Sequence, residues 1–219
     1  MATIPRNKFT EHQFTAFVDY YMEFAAYLGQ YKRCFDILAE HVAETNAHVD
    51  HLSYPILFLA RHCMELGLKT NIRYFAKYSG KNDFTKAGTH DLANLFQAFK
   101  MHVEKTMANL KASYNINVTK EDKQSFVELC NEVEKLNDIF HQLDKSSDAF
   151  RYPVDKDQNP SFDKGQRISI LDVNDLLEKS TLLFVHTADV FAKYTDYAAH
   201  IDEQYEALMR ENYDQSMPY

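Results

Sequence analysis

An arginine and a histidine, Arg61 and His62, lie side by side within a strongly apolar stretch of the sequence. Glu65, Lys69 and Arg73 follow at helical spacing, so these polar side chains share one face of a helix. One interpretation is a ladder of ion pairs on a solvated face, as is common on helices. The other is the wall of a site, because an arginine can hold two phosphate oxygens and a histidine can transfer a proton near neutral pH.

Two later positions could complete such a site. His90 opens a predicted helix and Arg151 lies in a predicted irregular segment, so both could converge on the polar face. Alternatively, His90 only decorates a helix start and Arg151 pairs with a nearby aspartate. Convergence would form an anion pocket suited to a phosphate or to phosphodiester chemistry. We therefore predict catalytic roles for His62, His90 and Arg61, and substrate binding by Arg151, Glu65, Lys69 and Tyr152.

A second group of residues has metal-ligand chemistry. His41, Glu44, His48 and His51 would lie on one face if a single helix contained them all. His41 and His48 would then be about 10 Å apart along the axis, which is too far to share one ion. A solvated face explains this group better, and we expect neither a metal nor a cofactor.

Composition favours a helical protein. The 219 residues include only five glycines and five prolines, no tryptophan and thirty Tyr and Phe side chains. A formal charge of −8 argues against nucleic-acid binding by the whole surface, although it permits a local basic pocket. Three scattered cysteines indicate neither disulfides nor a zinc site, and no apolar run is long enough to cross a membrane. We expect a cytoplasmic protein that does not contact membranes.

The element that must position the candidate site is a long helix over residues 54–78. Ser53 is its predicted N-cap, Pro55 suits the first turn, and Gly80 lies just past its end. Apolar residues cover about two thirds of its circumference, which is typical of a helix at the centre of a bundle.

The remaining pattern predicts an all-α fold of five to six helices with one irregular loop or small hairpin near 144–170. The hairpin would pair residues 150–153 with 167–170. Thr89, Thr119 and Asp172 are predicted N-caps, and Gly29 a break between the first two helices. A single domain over 1–219 follows, with a core at 50–155 and flanking helices at 10–48 and 172–210. The predicted helices span 10–29, 31–48, 54–78, 90–110, 119–143 and 172–209.

Three segments resemble a known superfamily. LARHCMELGLKTNIRYF, THDLANLFQAF and FRYPVD are similar to the RHxxExxLK, HDLxxL and RYP layout of bacterial HEPN-domain proteins. The resemblance covers residues 53–155. It implies a helical bundle, often dimeric, in toxin–antitoxin, antiviral defence or RNA-processing systems. Many members are metal-independent endoribonucleases, in which an R-x4–6-H motif acts on the scissile phosphate.

That motif is missing after Arg61 and after Arg151, and its spacing occurs only between Arg6 and His12, a match that chance readily produces. Two functions therefore stay open. One is a HEPN-like effector that binds or cleaves RNA or a nucleotide through the Arg/His pocket. The other is a non-catalytic helical module that forms a homodimer or docks onto a partner protein.

Overall fold

A computed structural model describes residues 7–16, 23–45, 48–80, 89–143 and 149–216. The predicted all-α class is confirmed, and the described residues contain only one isolated β-bridge besides helices, turns and loops. The helices are α1 (Lys8–Gln13), α2 (Phe24–Thr45), α3 (Ser53–Ala76), α4 (Leu92–Tyr114), α5 (Lys120–Glu134), α6 (Asn137–Leu143) and α7 (Ile170–Ser216), with a 3₁₀ turn at Val49–His51 before α3.

Helix α3 lies at the centre of the bundle, in contact with α2, α4 and α7. Its apolar side chains are buried on several sides, as the sequence predicts for a helix so rich in them. The core extends beyond residues 50–155, because Phe35 of α2 and Phe191 of α7 are fully buried in it. The flanking helices are therefore part of the same hydrophobic core as α3.

The start of α3 differs from the prediction. Leu52, not Ser53, occupies the N-cap position, and no side chain caps the helix there. The preceding 3₁₀ turn explains the difference, since the Leu52 N–H bonds the Val49 carbonyl at 2.8 Å. The Ser53 hydroxyl donates back to the Asp50 carbonyl at 3.1 Å instead of accepting from the helix. Pro55 lies in the first turn as expected.

Polar side chains close the other end of α3. The Thr106 hydroxyl donates to the Phe75 carbonyl at 3.1 Å, and the Asn109 amide donates to the Tyr78 carbonyl at 2.9 Å. The Thr106 bond adds to those that the Phe75 carbonyl already accepts from the Tyr78 and Ser79 N–H groups, and the Asn109 bond tethers the Tyr78 carbonyl just past the helix end. Gly80 follows with a φ of +65°, the left-handed conformation that glycine adopts without strain.

Gly29 does not break the chain into two helices. It lies inside α2, which runs without interruption from Phe24 to Thr45. A Cβ at this position would meet nothing within 4 Å, so Gly29 is simply an unpacked helical residue. Of the first predicted helix, residues 10–13 lie in α1, residues 24–29 lie in α2, and residues 17–22 lie outside the described residues.

Two helix starts after α3 depend on capping side chains. The Thr119 cap is confirmed, because its hydroxyl accepts from the Asp122 N–H at 3.2 Å. Thr89 is not the cap of α4; Asp91 is, with its carboxylate accepting from the Asn94 N–H at 2.7 Å. Thr89 accepts from the Asp91 N–H at 3.1 Å, so it supports the capping residue.

The helix predicted over residues 119–143 is two helices, α5 and α6, joined by a turn. The Leu136 N–H bonds the Val133 carbonyl, a tighter i→i+3 bond that ends the regular α-helix. Beyond the turn, Phe140 packs against Phe96 of α4 with 5.8 Å between ring centroids. No glycine or proline marks this turn in the sequence.

The irregular segment before α7 is confirmed, but the predicted hairpin is not formed. Val154 and Pro160 make the only bridge among the described residues, around a turn in which the Asp155 carboxylate accepts from the Asn159 N–H at 2.9 Å. Residues 144–148 of this prediction lie outside the described residues. Prolines and turn-forming side chains favour local turns over strand pairing here.

Helix α7 begins at Ile170 and not after Asp172, because the Ser169 hydroxyl accepts from the Asp172 N–H at 3.2 Å. At 47 residues it is about 70 Å long, well beyond the predicted end near Met209. Its core-facing positions are buried as far as Ala198. Residues 202–213 are all exposed, so the last part of α7 extends past the bundle.

Candidate functional site

A buried ion network lies on the polar face of α3. Arg61 is 3% exposed, Glu65 4% and Lys69 8%. The Glu65 carboxylate receives the Arg61 guanidinium at 3.0 Å on one oxygen and the Lys69 ammonium at 2.8 Å on the other. The solvated ladder that the sequence allowed is therefore excluded for these three residues.

The chemistry of Glu65 follows from its neighbours. Burial alone would raise the pKa of its carboxyl, but hydrogen bonds and charges from Lys69 and His90 outweigh burial and hold that pKa below its usual value of 4.5. The group is a carboxylate at neutral pH. At this pH Glu65 cannot donate a proton, and its role in the network is that of an anion between cations.

His90 joins the network from the residues just before α4. Its Nδ1 lies 2.8 Å from Glu65 Oε1, and its backbone carbonyl accepts from the Arg61 guanidinium. Since a carboxylate can only accept, Nδ1 carries the hydrogen of that bond. The His90 side chain is 61% exposed, whereas Glu65 is buried. His90 is thus the part of the network that a ligand can reach.

An aromatic and cationic stack lies one turn before the network on the same helix. The His62 imidazole is stacked on Phe58 at 5.6 Å with an interplanar angle of 10°. Tyr31 of α2 meets His62 edge-on at 4.5 Å. The Arg151 guanidinium lies 5.9 Å from the Phe58 centroid, and its residue is exposed. We call Arg151, Phe58, His62 and Tyr31 the stacking face.

His62 is half-buried in this face, with consequences for its protonation. Burial lowers the pKa of its imidazole; Glu65 opposes this effect, and the Arg61 and Lys69 charges reinforce it. The ring is therefore neutral at pH 7, in the form that accepts a proton. Exposure of His62 to solvent, or an anion bound beside it, would favour the protonated imidazolium instead.

The predicted site residues thus fall into two adjoining groups. Arg61, Glu65, Lys69 and His90 form the buried network, and His62 and Arg151 belong to the stacking face. Tyr152 is 56% exposed, with its ring 5.7 Å from the Arg151 guanidinium. The catalytic and substrate-binding roles of these residues stay predictions.

The other candidate groups do not form sites among the described residues. α2 ends at Thr45, so the continuous helix that would align His41 with His48 and His51 is not present. No cluster of three or more possible metal ligands occurs in the described part of the chain. His12 lies in α1, and Arg6 is outside the described residues.

Several aromatic residues near the site were not identified from the sequence. Tyr54, Phe58 and His62 recur every four residues, so they line one face of α3; this spacing could have revealed the stack. Phe162 is different, because it reaches Tyr54 at 5.8 Å from an irregular segment whose path no periodicity predicts. The fully buried His102, whose Nδ1 lies 2.9 Å from the Ser79 hydroxyl, was also not identified from the sequence.

Thiol chemistry is not available at the buried cysteines. Burial raises the pKa of Cys63 on α3 and of Cys130 on α5 to about 12. Both are thiols at neutral pH, and a thiol is a poor nucleophile compared with a thiolate.

Compared with protein-family models, curated proteins and solved structures, the chain has no significant match. Within the described residues, no helix combines the length and the apolar character needed to cross a membrane.

Proposed function

We propose that this protein is a HEPN-like effector of a bacterial defence or toxin–antitoxin type system that binds single-stranded RNA on the stacking face. The observation that supports this most directly is the Arg151 guanidinium over Phe58, a ring that also stacks with His62. Single-stranded RNA is held by aromatic rings that stack on bases and by cations that contact phosphates. The stacking face supplies both, with its residues on α2, α3 and the segment before α7.

The buried network has a structural role in this proposal. The Arg61 guanidinium is directed at Glu65 and at the His90 carbonyl, and only 3% of the residue is exposed. Reaching a phosphate would require this network to break. Arg61 therefore fixes the start of α4 against α3, and any cleavage of RNA would depend on His62 or His90, the two histidines at the rim.

An RNA-binding measurement tests the proposal. We expect the wild-type protein to raise the fluorescence anisotropy of a short unstructured RNA at low salt. Arg151→Gln should weaken binding about tenfold, because a cation and a stacking partner are both lost. Arg33→Gln is the matched control, since Arg33 is exposed on α2 and lies about 200° around that helix from Tyr31 of the stacking face.

The same samples report on cleavage when the RNA is analysed on a gel. If Arg151→Gln weakens binding and Arg33→Gln does not, the stacking face is supported as the RNA-binding site, whether or not the RNA is cleaved. Equal affinity of both variants and wild type would remove the site assignment. No binding by the wild-type protein to RNAs of varied sequence would contradict the proposed function itself.

A second candidate function, homodimerisation, is favoured by the exposed end of α7. Apolar positions recur at alternating intervals of three and four residues, the spacing of a coiled-coil seam. The seam is buried at Phe191 and Ala198, half-buried at Ile201, and exposed at Tyr205 (64%) and Leu208 (58%). An apolar stripe that continues beyond the bundle is suited to packing against a second helix.

The occupant that fits this seam is a second copy in antiparallel orientation. Before Ala198 the same stripe faces the chain's own core. A parallel partner would bring its own bundle to that same end of α7, where the two bundles would collide. An antiparallel partner places the two bundles at opposite ends and opposes the two helix dipoles. Glu203 and Glu206 lie outside the seam at this spacing.

Light scattering and cross-linking test this candidate. Leu208→Glu should convert a dimer into a monomer, whereas Leu182→Glu, at an equally exposed position before the extension, should not. In a Cys34→Ser background, mixed Ile201→Cys and Asn212→Cys proteins should form a disulfide with each other and neither with itself. A monomer at high concentration, or self-linked Ile201→Cys, would contradict the antiparallel dimer.

A further inference from the structure

Two cavities adjoin at the N-terminal end of α3 and share Tyr54 and Phe162 as a common wall. The smaller, of about 270 Å³, lies between this wall and residues 149–153. The larger, of about 730 Å³, lies between the wall, the residues before α3 and the segment 163–168. Cavities of this combined size are in the range that holds small ligands.

The smaller cavity is lined mainly by aromatic rings. Phe150 and Phe162 pack together at 5.0 Å, and Phe162 contacts Tyr54 at 5.8 Å. Tyr54 is 54% exposed and Tyr152, on the opposite side, is 56% exposed. Their accessible ring surfaces suit a flat aromatic group, and a nucleobase stacks on such rings whatever its identity.

The larger cavity has two cations on its wall, Lys164 and Arg167. Both residues are exposed. Two acidic residues, Asp50 and Asp163, line the same cavity. The Asp50 carboxylate lies 3.1 Å from His48 Nδ1. A phosphate could be held here by two cations at once, in charge-assisted hydrogen bonds.

Arg151 connects these cavities to the stacking face. It lines the smaller cavity, and its guanidinium also lies over Phe58. A strand whose last base occupies the smaller cavity could therefore continue past Arg151 onto Phe58 and His62. The aromatic cavity, the cationic cavity and the stacking face are contiguous.

We propose that the two cavities bind the phosphorylated terminal nucleotide of an RNA strand, with the base beside Tyr54 and Tyr152 and the terminal phosphate at Lys164 and Arg167. This inference rests on the proposed function, because the rest of the strand lies on the stacking face. The chemistry that is recognised is a terminal phosphate on a nucleotide, at either end of the strand.

The test compares one short RNA sequence in three forms, with a 5′-phosphate, with a 3′-phosphate and with hydroxyl groups at both ends, each labelled internally. One phosphorylated form should bind about tenfold more tightly than the hydroxyl form, and this comparison identifies the end. Arg167→Gln and Lys164→Gln should each reduce that preference, and the affinity for the hydroxyl form should fall no more than it does in Arg33→Gln. Arg33→Gln should retain the full preference.

Tyr54→Leu separates the contribution of base stacking from that of charge. It should lower the affinity for all three RNAs by about tenfold without changing the preference for the phosphorylated form. Equal affinity for the three forms, or a preference that survives in Arg167→Gln and Lys164→Gln together, would overturn the inference. If the forms bind equally and Arg151→Gln still weakens binding, only this inference fails. If none of the three forms binds, the proposed function fails with it.

Discussion

Glu65→Gln is expected to lower the free energy of unfolding by about 3 kcal/mol or more, because it leaves two buried cations without their anion. Arg61 and Lys69 both approach the Glu65 carboxylate within 3.0 Å, and all three residues are at most 8% exposed. Glutamine has nearly the same shape, so the substitution removes the charge and leaves the packing. Denaturant unfolding of the purified variant measures the effect.

The matched control is Glu206→Gln on α7. Glu206 forms the same kind of pair with an arginine four residues away, Arg210, at 3.2 Å, but both side chains are exposed. Its loss should change the stability by less than about 0.5 kcal/mol. Similar small effects at both positions would show that the α3 network is not the buried structural element described above.

The Glu65 network also makes stability depend on pH. The pKa of Glu65 is lower in the folded chain than its usual value of 4.5. Its contribution is therefore fully present above that value and is lost as the pH falls through the lower pKa of the folded state. Unfolding curves of wild type and Glu65→Gln should approach each other under acidic conditions.

Gly67→Ala is expected to lower the free energy of unfolding by about 3 kcal/mol through a collision between α3 and α7. A Cβ at Gly67 would lie 2.3 Å and 2.6 Å from two ring carbons of Phe184. Phe184 is 3% exposed within the core, so its ring has little room to move. Thermal or denaturant unfolding measures the loss.

Gly29→Ala is the control for Gly67→Ala, because the same substitution should raise the stability at Gly29. Gly29 is helical and a Cβ there meets nothing, so alanine should stabilise the chain by roughly 0.5–1 kcal/mol. In Gly67→Ala combined with Phe184→Leu, the two effects should be non-additive, because the smaller side chain relieves the collision. A Gly67→Ala protein as stable as wild type would contradict the close packing of α3 on α7.

The sequence was sufficient where one periodic pattern determines one element. The apolar circumference of α3 predicts its central place, and Thr119 predicts its own cap, because both depend on residues close in the chain. It was insufficient where distant residues decide. The turn between α5 and α6 lets Phe140 reach Phe96, and no local signal marks it.

The candidate site shows the same division. The shared face of Arg61, His62, Glu65 and Lys69 follows from helical spacing alone. Whether that face is buried depends on helix packing, so the solvated ladder and the buried network could not be separated from spacing. The position of Arg151 over Phe58 depends on the path of an irregular segment, which spacing does not determine.

Zero-length ultraviolet cross-linking of RNA to the full-length protein, with the adducts located by mass spectrometry, tests the central claim most directly. An RNA on the stacking face should form adducts at Phe58 or at Tyr152, the exposed ring beside Arg151, and Arg151→Gln should reduce them. Adducts confined to other helices, or adducts at these rings that Arg151→Gln leaves unchanged, would contradict the account.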